Sequence, residues 1–350
     1  MGGNALKSYP TKRLNKGEYR DFNVEFQLMF RNAFGFLPIL IKSYEEKNAF
    51  GDADYLLDNS LLDSFWTSRL KSVYSLKDEQ YVRNTNVVSL GYKNFQVDLI
   101  STPHDEMQIA EKYFAYNDFS NLIGRMLHKL GIKLGHNGLW LIVREDDKGH
   151  VLAEILLSRN YYDALEILGL DRSIYDEGIK NLNQMFEYIA TSKYFDREIF
   201  SLDHRSATSR VRDKKRKTYH EFLQWIERVK PISNYEFASK SEKGGYNIRH
   251  PYFTTEVLKR WPWVGWEVDR TIEDSKKRKA FKEIYNGSIV AEITGLNNKD
   301  LGAFMLWTKP KMDYFLNSYL SAEDILRPDN KEQMRNAIKM QYRLYQGISQ

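Results

Sequence analysis

Three aspartates lie inside apolar runs of this 350-residue chain. Asp52 and Asp54 stand two apart in "NAFGDADYLLDN", and Asp98 stands in "NFQVDLI". On a strand, residues two apart point to the same face, so Asp52 and Asp54 are expected to project together. A third carboxylate on a neighbouring strand would complete a cluster of like charges. At separations of a few Å such charges repel strongly, and two Mg²⁺ ions relieve the repulsion. The chemistry such a pair of ions supports is in-line displacement at phosphorus, nucleotidyl transfer included. The bland alternative is a pair of surface acids at a strand edge. Against it, the pair is flanked by Phe50, Tyr55, Leu56 and Leu57, where paired carboxylates are costly without a function. Asp58, next in "LLDN", reads as a surface acid.

Ser43, Lys42 and Lys47 precede the acidic pair. A hydroxyl and turn amides suit nucleotide phosphates, and the lysines supply charge. Arg125 and Lys129, four apart on a predicted helix, share a face and are read as further nucleotide contacts. His136, in "GHNG", reads as part of a turn, and Gly2 and Gly3 as part of a loose terminus.

These residues need a scaffold. Residues 16–33 have the spacing of an amphipathic helix, and Gly35 separates it from a first strand, "FLPILIKSY", in which Pro38 delays pairing. The Asp-x-Asp strand follows, then a helix over 60–75 and two strands around a turn at Gly91, the second holding Asp98. Thr102, Pro103 and Asp105 are expected to cap a helix directly after that strand. A helix from Phe119 and a hairpin turning at Asp146–Gly149 come next. Beyond residue 160 the pattern becomes helical. The expected fold class is α+β: a small mixed-sheet domain, 1–160, followed by a mostly helical region, 161–350.

The net charge is +5, and residues 205–217, "RSATSRVRDKKRK", carry seven bases and one acid. The remainder of the chain is thus close to neutral. A second cluster, "KKRKAFK", lies at 276–282. Localised positive charge is the footprint of a polyanion site. Arg205, Arg210, Arg212, Lys214, Lys215, Arg216 and Lys217 are therefore expected to bind RNA. Trp261, Trp263 and Trp266 read as core. The chain has no cysteine, which excludes disulfides and thiolate metal sites. No apolar run reaches the ~18 residues of a membrane span. The start, "MGGNALKSYPTKR", reads as neither signal peptide nor lipidation site, so the expected setting is the cytoplasm without membrane association.

The arrangement of Ser43, Asp52-x-Asp54 and Asp98 over roughly residues 36–100 resembles the DNA polymerase β-like nucleotidyltransferase superfamily. Lys42 stands where that family usually has Gly. The chain as a whole also resembles nucleotidyltransferase-like proteins of large tailed bacteriophages, which implies the host cytoplasm. "TGLNNKDLG" is similar to a helix-turn near the end of CCA-adding enzymes. The resemblance implies an Mg²⁺-dependent, template-independent transfer of a nucleoside monophosphate from an NTP, with ATP the expected nucleotide. Asp52 and Asp54 would hold the ions that grip the triphosphate. Asp98 would help activate the attacking hydroxyl. The expected acceptor is an RNA 3′ hydroxyl, by tRNA 3′-end or poly(A)-type addition. The alternatives are transfer to a small molecule or protein, and an inactive RNA-binding homologue.

Overall fold

Asn15 starts the first long helix by accepting hydrogen bonds from the Gly17 and Glu18 amides, while the Glu18 carboxylate accepts from the Asn15 amide. This reciprocal cap satisfies amides that have no partner within the helix. Gly35, at φ 82°, ends the helix in a conformation glycine adopts without strain. Between these caps, Phe22, Phe26 and Phe30 recur every four residues and form one buried stripe.

The computed structural model describes residues 5–144, 150–229, 233–237 and 257–348. They form two compact units, Met1–Trp261 and Pro262–Gln350. The units part at residue 261, whereas the compositional change lies near 160; the helices after 160 pack into the first unit.

In chain order, the first unit begins with β1 (Leu14–Asn15), α1 (Lys16–Phe34), β2 (Ile39–Leu40), β3 (Ala49–Phe50) and β4 (Asp52–Asp58). There follow α2 (Trp66–Val73), β5 (Tyr81–Asn84), β6 (Val87–Tyr92) and β7 (Phe95–Thr102). Five of these strands form a mixed sheet in the order β2-β4-β7-β6-β5, and β1 pairs with β3. Within the sheet β4 and β7 run parallel, with Asp54 opposite Asp98; the other neighbours are antiparallel. The α+β class expected from the pattern is what the chain adopts.

The two-residue period decides what each face of this sheet does. Ala53, Tyr55, Leu57, Val97 and Leu99 point to one side and form the main core with the α1 phenylalanines, Trp66, Leu70 and Tyr74. On the other side, Leu56 and Ile100 pack with Ile41 and Ala110 of α3 (Met107–Phe114). Asp52, Asp54 and Asp98 belong to this second face and are only partly buried.

The unit continues through α4 (Phe119–Lys129) and an antiparallel sheet of β8 (Ile132–Gly135), β9 (Gly138–Arg144) and β10 (Val151–Ser158). The helices α5 (Tyr161–Leu168), α6 (Arg172–Glu177), α7 (Leu182–Ala190), α8 (Ala207–Asp213), α9 (Lys217–Arg228) and α10 (Leu258–Arg260) complete it. The second unit holds α11 (Val264–Ile284), α12 (Gly287–Thr294), α13 (Asn298–Ser318), α14 (Ala322–Ile325) and α15 (Pro328–Ile348). Phe281, Val290, Phe304, Met334 and Ile338 are in its core. Among the described residues no helix is long and apolar enough to cross a membrane.

Several local expectations are revised. Only Ile39–Leu40 pair in the first strand, because Pro38 has no amide to donate. Gly91 lies within β6 opposite Gln96; the turn is made by Lys93 and Asn94, both at positive φ. Thr102 belongs to β7 and its hydroxyl donates to the Ile100 carbonyl, so it caps no helix; a 3₁₀ turn at His104–Glu106 precedes α3. The 60–75 helix is confined to α2, leaving Leu61 and Phe65 exposed. Trp263 and Trp266 are exposed, and the Arg270 guanidinium lies 4.9 Å from the Trp266 ring centre. The basic run at 276–282 lies on α11. Gly2, Gly3 and the turn at 146–149 lie outside the described residues.

Candidate active site

Parallel pairing of β4 with β7 brings the three aspartates together. One carboxylate oxygen from each of Asp52, Asp54 and Asp98 can be chosen so that all three lie within 4.8 Å of one another. Burial is the first cause of the changed acidity here, and the neighbouring carboxylates add to it. The Asp54 carboxyl is pushed up to about 7 by desolvation, then by Asp52 and Asp98, against an opposing pull from Lys47. Asp98 also moves up through burial and Asp52, but hydrogen bonds restrain the rise. Ser89 on β6 bonds to it, and the Gln96 side-chain amide donates to both of its oxygens at 3.1 and 3.0 Å. Gln96 is itself fixed, because its carbonyl accepts from the Ala5 amide at 2.9 Å. Asp98 is thus an oriented carboxylate.

The residues before β4 wall the cluster. The Ile41 amide donates to the Asp54 carbonyl at 2.9 Å, extending the β2 edge. The Lys42 carbonyl accepts from the Tyr116 amide at 2.9 Å, which ties the segment to the turn between α3 and α4. Lys42, Ser43 and Lys47 consequently line, with Asp52 and Asp54, a cavity of about 350 Å³. Lys47 is partly buried, with its ammonium 4.9 Å from the Phe50 ring centre. Its pKa is lowered by desolvation, against the attraction of Asp52 and Asp54.

The basic segment enters the same space. Arg212, at the end of α8, and Arg216, just before α9, line the cavity beside the aspartates. Lys215 and Lys217 line the wider cleft of about 1310 Å³ that shares Lys47, Asp52 and Asp54 with it. The basic segment, expected in the helical region 161–350 apart from the mixed-sheet domain of the acids, belongs with them to the first unit and to one cleft. Long-range bonds draw the segment in. Arg216 pairs with Asp118 at the start of α4, and Arg212 donates to the Asn121 side-chain carbonyl at 3.2 Å.

Other predicted residues have internal duties. Arg205 is buried in an ion pair with Asp213 at 2.8 Å. Arg210 donates to the carbonyls of Leu202, Asp203 and Arg205. Arg125, expected at the nucleotide, is buried and donates to the carbonyls of Ile199 and His204, both at 2.9 Å. Lys129 is buried on the same helix. The residues lining the cavity and cleft include neither Arg125 nor Lys129. Lys214 is exposed and is likewise not among them. Asp58 is tied to Ser60 and His104, the ring nitrogen lying 2.5 Å from its carboxylate. His136 stacks on Phe114 with centroids 5.6 Å apart.

Sequence reasoning passed over Tyr19, Gln96 and Asn121. Tyr19 stacks on Phe50 at 3.8 Å and lines the cavity; burial, reinforced by Asp54 and Asp52, raises its pKa. Gln96 was discoverable, since it lies two residues before Asp98 and shares its face. Asn121 carries no local signal.

Three carboxylates with an oxygen each within 4.8 Å of one another are a hard-oxygen donor set suited to Mg²⁺ or Mn²⁺. The Asp54 pKa, raised first by burial and then by its two carboxylate neighbours, marks a candidate functional site. No protein-family model and no curated protein matches the chain.

Proposed function

We propose that the first unit is a nucleotidyltransferase, which moves a nucleoside monophosphate from an NTP to an acceptor hydroxyl. The observation that carries this reading is the clustering of Asp52, Asp54 and Asp98, the first two of which line a cavity whose wall also bears Lys47, Arg212 and Arg216. When bound, two divalent ions would supply charge neutralisation at the triphosphate and a more acidic attacking hydroxyl. Asp52 and Asp54 are the carboxylates to hold them. Asp98, oriented by Gln96, would share in holding them or accept the hydroxyl proton. A bond forms between the acceptor oxygen and the α-phosphorus, and pyrophosphate departs. Arg212, Arg216 and Lys47 offset the charge on that leaving group.

The acceptor in this reading is RNA. The cleft with Lys215, Arg216 and Lys217 on its wall encloses about 1310 Å³, more than the ~300–1,000 Å³ of a small-molecule pocket. Its cations suit a chain of phosphates. The test is incubation of purified protein with α-labelled NTPs, Mg²⁺ and total RNA. Label in RNA that disappears in Asp54→Asn supports the reading. Label in protein or a small product moves the acceptor, and no label in any fraction overturns it.

A further inference from the structure

Among the described residues, Tyr44 is the one aromatic side chain lining the wider cleft. Other tyrosines of this unit are engaged by the fold. Tyr19 stacks on Phe50 with ring centres 3.8 Å apart, and the Tyr74 hydroxyl donates to the Phe26 carbonyl at 2.8 Å. Tyr44 is half-buried, yet among the described residues no ring or cation stacks on it and no hydrogen bond engages its hydroxyl. A large flat side chain in that condition, on a cleft wall, is available to a ligand.

The backbone beneath the ring is fixed. The Glu45 and Glu46 amides donate to the carbonyls of Ile179 and Lys180 at 3.0 and 2.8 Å, and the Lys16 ammonium donates to the Glu45 carbonyl at 2.8 Å. The Tyr44 carbonyl accepts from the Lys47 amide at 3.2 Å and closes the turn. A ring on a backbone already ordered loses little freedom when it binds. Its surroundings name the ligand. Lys215 and Lys217 line the same cleft, as do Asp52 and Asp54. Cations that follow a phosphate chain, with an aromatic face for a base, are the combination that single-stranded nucleic acid binds.

We propose that Tyr44 stacks on an unpaired base at the 3′ end of the acceptor, so that the cleft takes a single-stranded RNA end. This rests on the RNA-acceptor reading above. The 3′ hydroxyl must reach the aspartates, and Tyr44 shares the cleft with them, so it meets one of the last nucleotides rather than a distant one. Stacking uses the face that every base has, so binding tolerates any sequence there. A paired end keeps its bases in the duplex stack.

The experiment measures binding of a short oligoribonucleotide, labelled at its 5′ end, in the absence of NTP. Wild type, Tyr44→Ala and Tyr44→Phe are compared, and thermal melting confirms folding. Tyr44→Ala should weaken binding by about five- to a hundredfold, the worth of one base–aromatic stack. Tyr44→Phe keeps the ring and should match the wild type. The slope of log affinity against log salt should be the same in all three, because no phosphate contact is lost. An abasic site at one of the last few nucleotides should weaken wild-type binding as much as Tyr44→Ala does, and should weaken Tyr44→Ala no further. A complement annealed flush with the 3′ end should erase the difference between wild type and Tyr44→Ala. Equal binding by wild type and Tyr44→Ala, a loss accompanied by a flatter salt slope, a difference that survives annealing, or indifference to every abasic position overturns the proposal. No RNA binding by the wild type overturns the RNA-acceptor reading and this proposal with it. Tyrosine-dependent binding without label transfer would instead overturn the transferase reading and leave the stacking role standing.

Discussion

The acidic face of the central sheet and the basic segment after residue 204 carry opposite charge and treat it in opposite ways. In the basic segment the innermost charges are compensated within the fold: Arg205 by Asp213, Arg216 by Asp118, and Arg210 by three carbonyls. On the sheet, Asp54 faces two other carboxylates, and its acidity is weakened by burial and by both of them. Asp98 has neutral donors, from Gln96 and Ser89. One region uses charge to hold its own shape. The other holds charge against the interest of stability, which is how sites prepared for an external cation behave.

The sharpest break of this comparison is Asp54→Asn. Nucleotidyl transfer should fall by at least about a thousandfold, as expected when a ligand charge is removed from the transition state. The metal-free protein should nevertheless melt several degrees higher, because a buried repulsion is gone. Activity within tenfold of wild type would remove Asp54 from the site. The corresponding change in the basic region should act in the opposite sense. Asp213→Asn leaves Arg205 buried without its partner, so unfolding should be easier by about 3–5 kcal/mol in denaturant titration. A variant as stable as wild type would show that Arg205 finds compensation elsewhere.

The pH dependence separates the regions further. The folded Asp54 carboxyl lies at about 7, above its ordinary value of 3.8, so the native state binds the proton more tightly than the unfolded chain. The resulting stability is complete below about 3.8 and is lost as pH rises through about 7. Melting of the metal-free protein should therefore fall across that window, with Asp98 contributing in the same direction. The window should shrink in Asp54→Asn and when Mn²⁺ is added. A wild-type profile that rises throughout would contradict the assigned direction. The smallest effect concerns the acceptor. Lys215→Ala with Lys217→Ala should weaken RNA binding and flatten the slope of log affinity against log salt by about 0.7 for each phosphate no longer neutralised. An unchanged slope would confine the cleft to the nucleotide.

The acidic face was legible because its cause is local. A two-residue period and apolar neighbours around Asp52, Asp54 and Asp98 suffice to predict strands, and like charges on strands imply a shared site. The parallel partnership of β4 with β7 was not legible, because a two-residue period is the same in parallel and antiparallel strands. The path of the basic segment was not legible, because Arg216 meets Asp118 and Arg212 meets Asn121 only through tertiary packing. Charge composition alone could not distinguish Arg205, which holds the fold, from Lys215, which lines the cleft. Arg125 and Lys129 illustrate the same limit: their four-residue spacing predicts a shared face but not that the face is buried.

The most direct test of a cation-binding acidic face is titration of Mn²⁺ into the metal-free protein near pH 6.5, with heat and released protons recorded together. Binding should release protons, because Asp54 is substantially protonated at that pH and must ionise to become a ligand. Asp54→Asn should lose both the binding and the proton release, while Asp213→Asn, measured under conditions where it is folded, should retain them. Absence of Mn²⁺ binding at millimolar concentrations, or equal binding by wild type and Asp54→Asn, would contradict the claim that the acidic face is built for cations.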